Sequence, residues 1–146
     1  MHVIRNGEKR DVKKVEQFLS SGKVSFEGVE TNINYFLLVE DLEGNLLATL
    51  GIEPVNNVGI LRSMVVKMEI KEEDLLIIFQ HMYKLAVSKK LSALYLTTNN
   101  AKSIPLFQVM GFEKIERSQL PSEFEISSYG SQLLTYSQAI YMKKGI

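Results

Sequence analysis

Leu94-Tyr95-Leu96-Thr97-Thr98-Asn99-Asn100-Ala101-Lys102-Ser103-Ile104-Pro105-Leu106-Phe107-Gln108-Val109-Met110-Gly111-Phe112 is the stretch on which the reading of the fold turns. Its first part, Leu94 to Thr97, is a short apolar strand. Residues 100–109 follow as a short helix with Asn100 as its N-cap, since a side-chain amide oxygen can accept from the orphan N–H groups of the first turn. Pro105 has no N–H and is tolerated only in a first turn, so the helix should start late or kink. Gly111 closes it, and Phe112 to Glu116 is the next strand.

Working outward, residues 72–89 carry the longest helical pattern. Leu75, Leu76, Ile78, Phe79, Met82, Leu85 and Ala86 make a wide apolar face suited to packing on a sheet. A strand at Val58 to Val66, that helix, and the strand at Leu94 form a strand–crossover–strand unit, which implies a parallel pair. Further upstream, Tyr35 to Glu40 and Leu46 to Ile52 form a hairpin around Glu43-Gly44-Asn45, and Pro54 to Asn57 reads as a second turn. Val12, Val15, Phe18 and Leu19 recur at helical spacing and predict a helix over about 8–20. Ser21-Gly22 should end it, with glycine accepting the left-handed conformation. Residues 23–34 read as a loop or one short helix, His2 to Arg5 as a first strand, Leu120 to Ser127 as a loop with a helical turn, and Gln138 to Lys143 as the last strand. The expected fold class is α/β, one domain over 1–146.

Composition narrows the function classes. Of 146 residues, 45% are apolar and 23% charged, an ordinary globular balance. Lys plus Arg and Asp plus Glu both total 17, giving no basic excess to meet nucleic-acid phosphates. The absence of cysteine excludes disulfides, thiolate metal sites and a cysteine nucleophile. Two histidines, His2 and His81, make no credible metal site without it. No apolar run approaches the length of a membrane span or a signal peptide, so the cytoplasm is the expected location. No Gly-x-Ser-x-Gly elbow suggests a hydrolase.

Residues 100–112 resemble the Asn-x-x-Ala-x-x-(Leu/Phe)-(Tyr/Phe)-x-x-x-Gly-Phe segment of GNAT-family N-acetyltransferases. Ser103 stands in the alanine position and Phe107 in the aromatic one. Leu61-Arg62-Ser63-Met64-Val65-Val66 resembles the fourth strand of that family. Glu113 to Ser122 and Ser137 to Met142 are similar to a branch near N-acetylglutamate synthase and the acetyltransferases that detoxify amino-acid-like arsenicals. The resemblance spans nearly the whole chain and implies a mixed central sheet whose fourth and fifth strands splay apart around acetyl-CoA.

What it implies for the site is specific. Val65, Val66, Lys71, Asn100 and Phe107 would contact acetyl-CoA. An amine would attack the thioester directly after a base removes its proton, and a strand N–H would stabilise the oxygen charge that develops. Glu53 is the candidate base, or else a solvated strand-end acid. Arg62 is the candidate anchor for a substrate carboxylate, or else an ion-pair partner within the sheet. Phe107 lacks the hydroxyl through which a tyrosine there acts as general acid. A small amine, perhaps amino-acid-like, is the implied acceptor, and a homodimer is implied by the family alone. Thr97 and Thr98 end the fifth strand beside the cleft. Ser127, Ser128 and Ser131 lie in a loop that could select substrate.

One stretch departs from the family. GNAT proteins usually carry (Gln/Arg)-x-x-Gly-x-(Gly/Ala) after the fourth strand, where glycines let backbone N–H groups cradle the pyrophosphate. Lys67-Met68-Glu69-Ile70-Lys71-Glu72-Glu73-Asp74-Leu75-Leu76 contains no glycine. Its three consecutive carboxylates are good helix-start residues that offset the helix dipole themselves. Two readings follow: an acetyl-CoA-dependent N-acetyltransferase, or a catalytically silent GNAT fold serving as a binding or interaction module. A retained backbone cradle at 67–76 favours the first, and a collapsed or carboxylate-filled loop the second.

Overall fold

In a computed structural model, the structure describes residues 2–146; Met1 lies outside them. The chain divides into two compact units, residues 1–52 with 62–85, and residues 53–61 with 86–146.

The first unit begins with β1 (Val3–Asn6) and a 3-10 turn at Lys9–Asp11 that leads into α1 (Val12–Ser21). The helix ends at Gly22, but Gly22 has φ −87°, and the left-handed residue is Lys23 at φ 59°. At 22 the space is tight instead: a Cβ there would lie 3.1 Å from a methyl of Val65, which would have to shift slightly. The stretch read as loop or one short helix holds α2 (Val29–Asn32) and a 3-10 turn, Ile33–Tyr35. β2 (Phe36–Glu40), β3 (Leu46–Val55) and β4 (Val58–Val66) follow, then α3 (Glu72–Ser88). Strands β1, β2 and β3 pair antiparallel, with Arg5 opposite Leu38 and Leu38 opposite Thr49. Val15 and Leu19 of α1 pack with Val29, Ile33, Phe36, Leu38 and Leu46, and partly buried Val65 closes that cluster. Gly51 is set by contact, since a Cβ would come within 2.7 Å of the Phe36 ring.

The expected turn over residues 54–57 is shorter than the sequence implied. Pro54 and Val55 belong to β3, and the turn is Asn56-Asn57, with Asn56 left-handed at φ 54°. Pro54 lies beyond Gly51, where the β2–β3 pairing stops at Phe36↔Gly51, so its missing N–H takes nothing from that ladder.

The second unit holds the ends of β3 and β4 nearest that turn, then β5 (Ala93–Thr98), α4 (Ile104–Val109), β6 (Glu113–Ile115), α5 (Glu123–Ile126), α6 (Ser128–Leu133) and β7 (Ile140–Gly145). β4 and β5 are parallel over Val58↔Ala93 to Ile60↔Tyr95, as the strand–crossover–strand pattern implied. β7 is antiparallel to both β5 and β6 and lies between them. The strand order of the mixed sheet is β1-β2-β3-β4-β5-β7-β6. α4 starts late, after a 3-10 turn at Ala101–Ser103, which places Pro105 in its first turn. Gly111 ends it at φ 97°. Phe124 is the aromatic centre of this unit, edge-on to Tyr95 at 5.5 Å and to Tyr141 at 6.4 Å. It packs with Val55, Val58, Ile60, Ala93 and Leu133. No described helix is long and apolar enough to cross a membrane.

Candidate functional site

In the first unit the features that matter lie along β4 and into α3. Ser63 sits inside a strand with φ 57°, a left-handed conformation that costs a non-glycine residue energy. Two bonds hold it there. Thr49 Oγ1 donates to the Ser63 carbonyl at 2.9 Å, and Arg62 Nε donates to Ser63 Oγ at 3.2 Å. All three residues are buried. Past this kink the strand alternates: Met64 and Val66 are exposed, and Val65 faces the cluster under α1. Arg62, expected as a substrate anchor, also donates from Nη2 to the Glu27 carbonyl at 2.6 Å, tying the segment before α2 to β4. These donations are to the protein itself, and the side chain is 8% exposed.

The loop after β4 is compact. Lys67 N–H donates to the Leu47 carbonyl at 2.8 Å, and Ile70 N–H to Lys67 O at 3.0 Å. Asp74, the third residue of α3, reaches back to accept the Lys71 N–H at 2.9 Å, the reciprocal half of a capping box. His2 Nε2 stands 3.6 Å from the same Asp74 oxygen. Lys71 Nζ reaches the Met68 carbonyl at 3.4 Å, and Lys67 Nζ lies 5.9 Å above the Phe18 ring. One of the three carboxylates is thus turned onto a backbone N–H at the helix start. The signal for this contact is the spacing, Asp74 standing three residues after Lys71.

In the second unit Glu53 lies half-buried on β3. Asn100 caps as expected, its Oδ1 accepting the Lys102 N–H at 3.0 Å. Phe107 is half-buried on α4, edge-on to Phe112 at 6.5 Å. Ser127 and Ser131 are used locally. Ser127 Oγ caps α6 by accepting the Gly130 N–H at 3.1 Å, and Ser131 Oγ donates to Ser128 O at 3.0 Å. The space beside that loop falls a little later in the chain. A cavity of about 620 Å³ lies at the C-terminal end of β5, walled by Thr97, Thr98 and Asn99 and by Leu133 with residues 135–139. Thr97 and Thr98 are expected beside the cleft, whereas residues 137–139 read as part of the closing strand segment and not as a pocket wall.

An ion network in the first unit went unread in the sequence. Arg5 binds Asp11 through two bonds of 2.8 Å and Glu40 at 2.8 and 3.2 Å. Lys14 adds a 2.6 Å bond to Glu40. The Arg5 guanidinium holds the Asp11 carboxyl down to about 2 and lowers that of Glu40 as well. The two carboxylates are buried, Arg5 and Lys14 are half-buried, and the pairs tie β1 and α1 to β2.

This mixed sheet, with its parallel β4–β5 pair and β7 inserted between β5 and β6, is the fold of GNAT-family N-acetyltransferases. N-acetylglutamate synthase from Neisseria gonorrhoeae, complexed with coenzyme A and N-acetylglutamate, superposes with TM-score 0.76 at 15% identity over 99% of this chain. The chain spans 35% of that protein's length. Rv2747 from Mycobacterium tuberculosis, in complex with CoA, gives TM-score 0.76 at 16% identity and 99% coverage of both chains. A GNAT-family acetyltransferase from Staphylococcus aureus gives 0.72 at 19%, again covering 99% of both. No family model matches the chain. At the level of sequence the chain belongs to the family of YwlB from Bacillus subtilis (strain 168), a protein whose name states no activity. The two are 32% identical over 142 residues, 97% of this chain and 95% of that one.

Proposed function

We propose that the chain is an acetyl-CoA-dependent N-acetyltransferase acting on the amine of a small molecule. The observation that carries the reading is the left-handed kink at Ser63 within β4, held by Thr49 and Arg62. A strained backbone is kept at a buried site only where the surroundings enforce it, and such sites cluster where function needs them. The fold, and the coenzyme A carried by the neighbours in that fold, give the strain its context.

In the first unit, the strand past the kink presents exposed Met64 and Val66, so backbone groups at Val65 and Val66 are the candidates to pair with the pantetheine arm. Lys71, at the start of α3, is the candidate phosphate contact. In the second unit Asn100 and Phe107 are the remaining candidates. Acetyl-CoA supplies an acetyl group already activated as a thioester. The chain must then bind the amine, accept its proton and stabilise charge on the carbonyl oxygen. Glu53 is the proposed proton acceptor, and a β4 N–H beyond Ser63 is the proposed donor to the oxygen. The acceptor's chemical identity is a matter for the pocket at the end of β5.

A second reading has its own observation. Asp74 already occupies the Lys71 N–H, and no glycine opens the loop at 67–76. A module that has lost acetyl-CoA would look this way. The capping box engages only the N-cap N–H, however, and leaves the following N–H groups of the first turn to other partners. On that ground the enzyme reading is preferred. The test is coenzyme A release from acetyl-CoA in the presence of a panel of primary amines, read by thiol titration. Amine-dependent release that falls at least about a hundredfold in Glu53→Gln supports both the reaction and the base. Release that no amine stimulates overturns the enzyme reading.

A further inference from the structure

The cavity at the end of β5 has an unusual wall. None of its nine lining residues carries a charge, although 23% of the chain is charged. Seven of them are hydroxyl or amide side chains: Thr97, Thr98, Asn99, Thr135, Tyr136, Ser137 and Gln138, with Leu133 and Ala139 as the apolar part. Some of this capacity is already spent. Thr98 Oγ1 accepts the Asn100 N–H at 3.1 Å, and Thr135 Oγ1 donates to Gln132 O at 2.7 Å. The side chains of Asn99, Ser137 and Gln138 make no hydrogen bond among the described residues, and all three are exposed. Behind them Thr97 Oγ1 is shielded from solvent without a partner, a polar group left unmet at the pocket wall.

A pocket of this kind selects by what it lacks. A carboxylate, phosphate or ammonium placed in it would find no counter-charge in the wall. An amide would find matching groups. Asn99 and Gln138 each offer a donor and an acceptor, so each can pair reciprocally with a ligand amide. We propose that this pocket is the acceptor subsite and that it holds an uncharged, amide-bearing portion of an amine substrate. The proposal rests on the acetyltransferase reading for the word acceptor, and on the pocket alone for the chemistry. It departs from the amino-acid-like acceptor with a free carboxylate, and it leaves Arg62 to its bonds with Glu27 and Ser63.

Glycylglycinamide and glycylglycine are a matched pair of probes, identical except that one ends in a neutral amide and the other in a carboxylate. Each is titrated into the full chain without acetyl-CoA, and backbone amide chemical shifts are followed. The expected result is a set of shifts centred on residues 97–99 and 135–139 for glycylglycinamide, with glycylglycine binding at least about tenfold more weakly. In Gln138→Glu, which puts a carboxylate on an exposed part of the wall, the preference for the amide over the carboxylate should widen, and an amide ending in a cationic group should gain. Shifts that map elsewhere, or glycylglycine binding as well as its amide, overturn the proposal. Repeating the titration with acetyl-CoA separates the two ideas. Pocket shifts with no amine of the panel stimulating coenzyme A release leave the pocket standing and remove the enzyme reading, whereas transfer to glycylglycinamide without pocket shifts does the reverse.

Discussion

Ser63 is where a single residue matters most. Its φ of 57° within β4 is supported by Thr49 and Arg62, both buried. A β-branched residue tolerates that conformation worse than serine does. Ser63→Val should therefore destabilise the chain by about 1–3 kcal/mol, read as a lower urea midpoint with an unchanged slope. Ser63→Gly should fold normally, because glycine adopts the angle without strain. Nothing in the sequence announces the kink. Serine at that position looks like any strand residue, and the bonds that hold it come from Thr49 and Arg62, whose roles depend on strand register. Asn56 and Gly111 are the opposite case. Their left-handed angles fall on residue types that favour them and that sit at turns, so both ends were legible.

At the scale of elements, the start of α3 is the decisive segment. Asp74 accepts the Lys71 N–H, so Asp74→Ala should cost about 0.5–1.5 kcal/mol of stability in the free protein. The same change removes an anion from the helix end and should tighten acetyl-CoA binding. Lower stability with tighter ligand binding, measured by urea unfolding and titration calorimetry on the same variant, is a signature that simple damage to the helix would not give. In the second unit Gly130 packs against α5 so closely that a Cβ would lie 2.6 Å from the Phe124 carbonyl. Gly130→Ala should cost about 1–3 kcal/mol. The long helix and the hairpin strands were readable because their apolar periodicity is strong and local. α2 and α5 fall where one short helix and a helical turn are expected, whereas α6, six residues long, was not legible, since so short a helix leaves little periodic trace.

For the whole molecule, the Arg5 network sets the acid limit. The Arg5 guanidinium holds the Asp11 carboxyl down to about 2 in the fold, below its ordinary 3.8. A depressed carboxyl contributes its full stabilisation above its unfolded value and loses it as pH falls toward the folded one. Stability should thus hold at about 2 kcal/mol of extra benefit above pH 4 or so and decay between about pH 4 and pH 2. In Arg5→Met that acid-dependent loss should shrink, as followed by urea unfolding across the same pH range. The network joins residues far apart in sequence, Arg5 to Glu40 being 35 positions, which is why charge patterning along the chain did not reveal it. The GNAT resemblance, by contrast, is carried by residues 61–66, 94–112, 113–122 and 137–142 together, while the place of β7 between β5 and β6 was not legible in the sequence.

The central claim is that this fold still takes acetyl-CoA through a loop without glycine. Thermal unfolding of the intact chain with and without acetyl-CoA, and with free coenzyme A as a second ligand, tests it most directly. Ligand at about a hundred times its dissociation constant adds roughly 2.7 kcal/mol, so the account predicts a rise in midpoint of about 5 °C or more for a chain of this size. An unchanged midpoint at millimolar acetyl-CoA would contradict it and leave the chain as a GNAT fold put to another use.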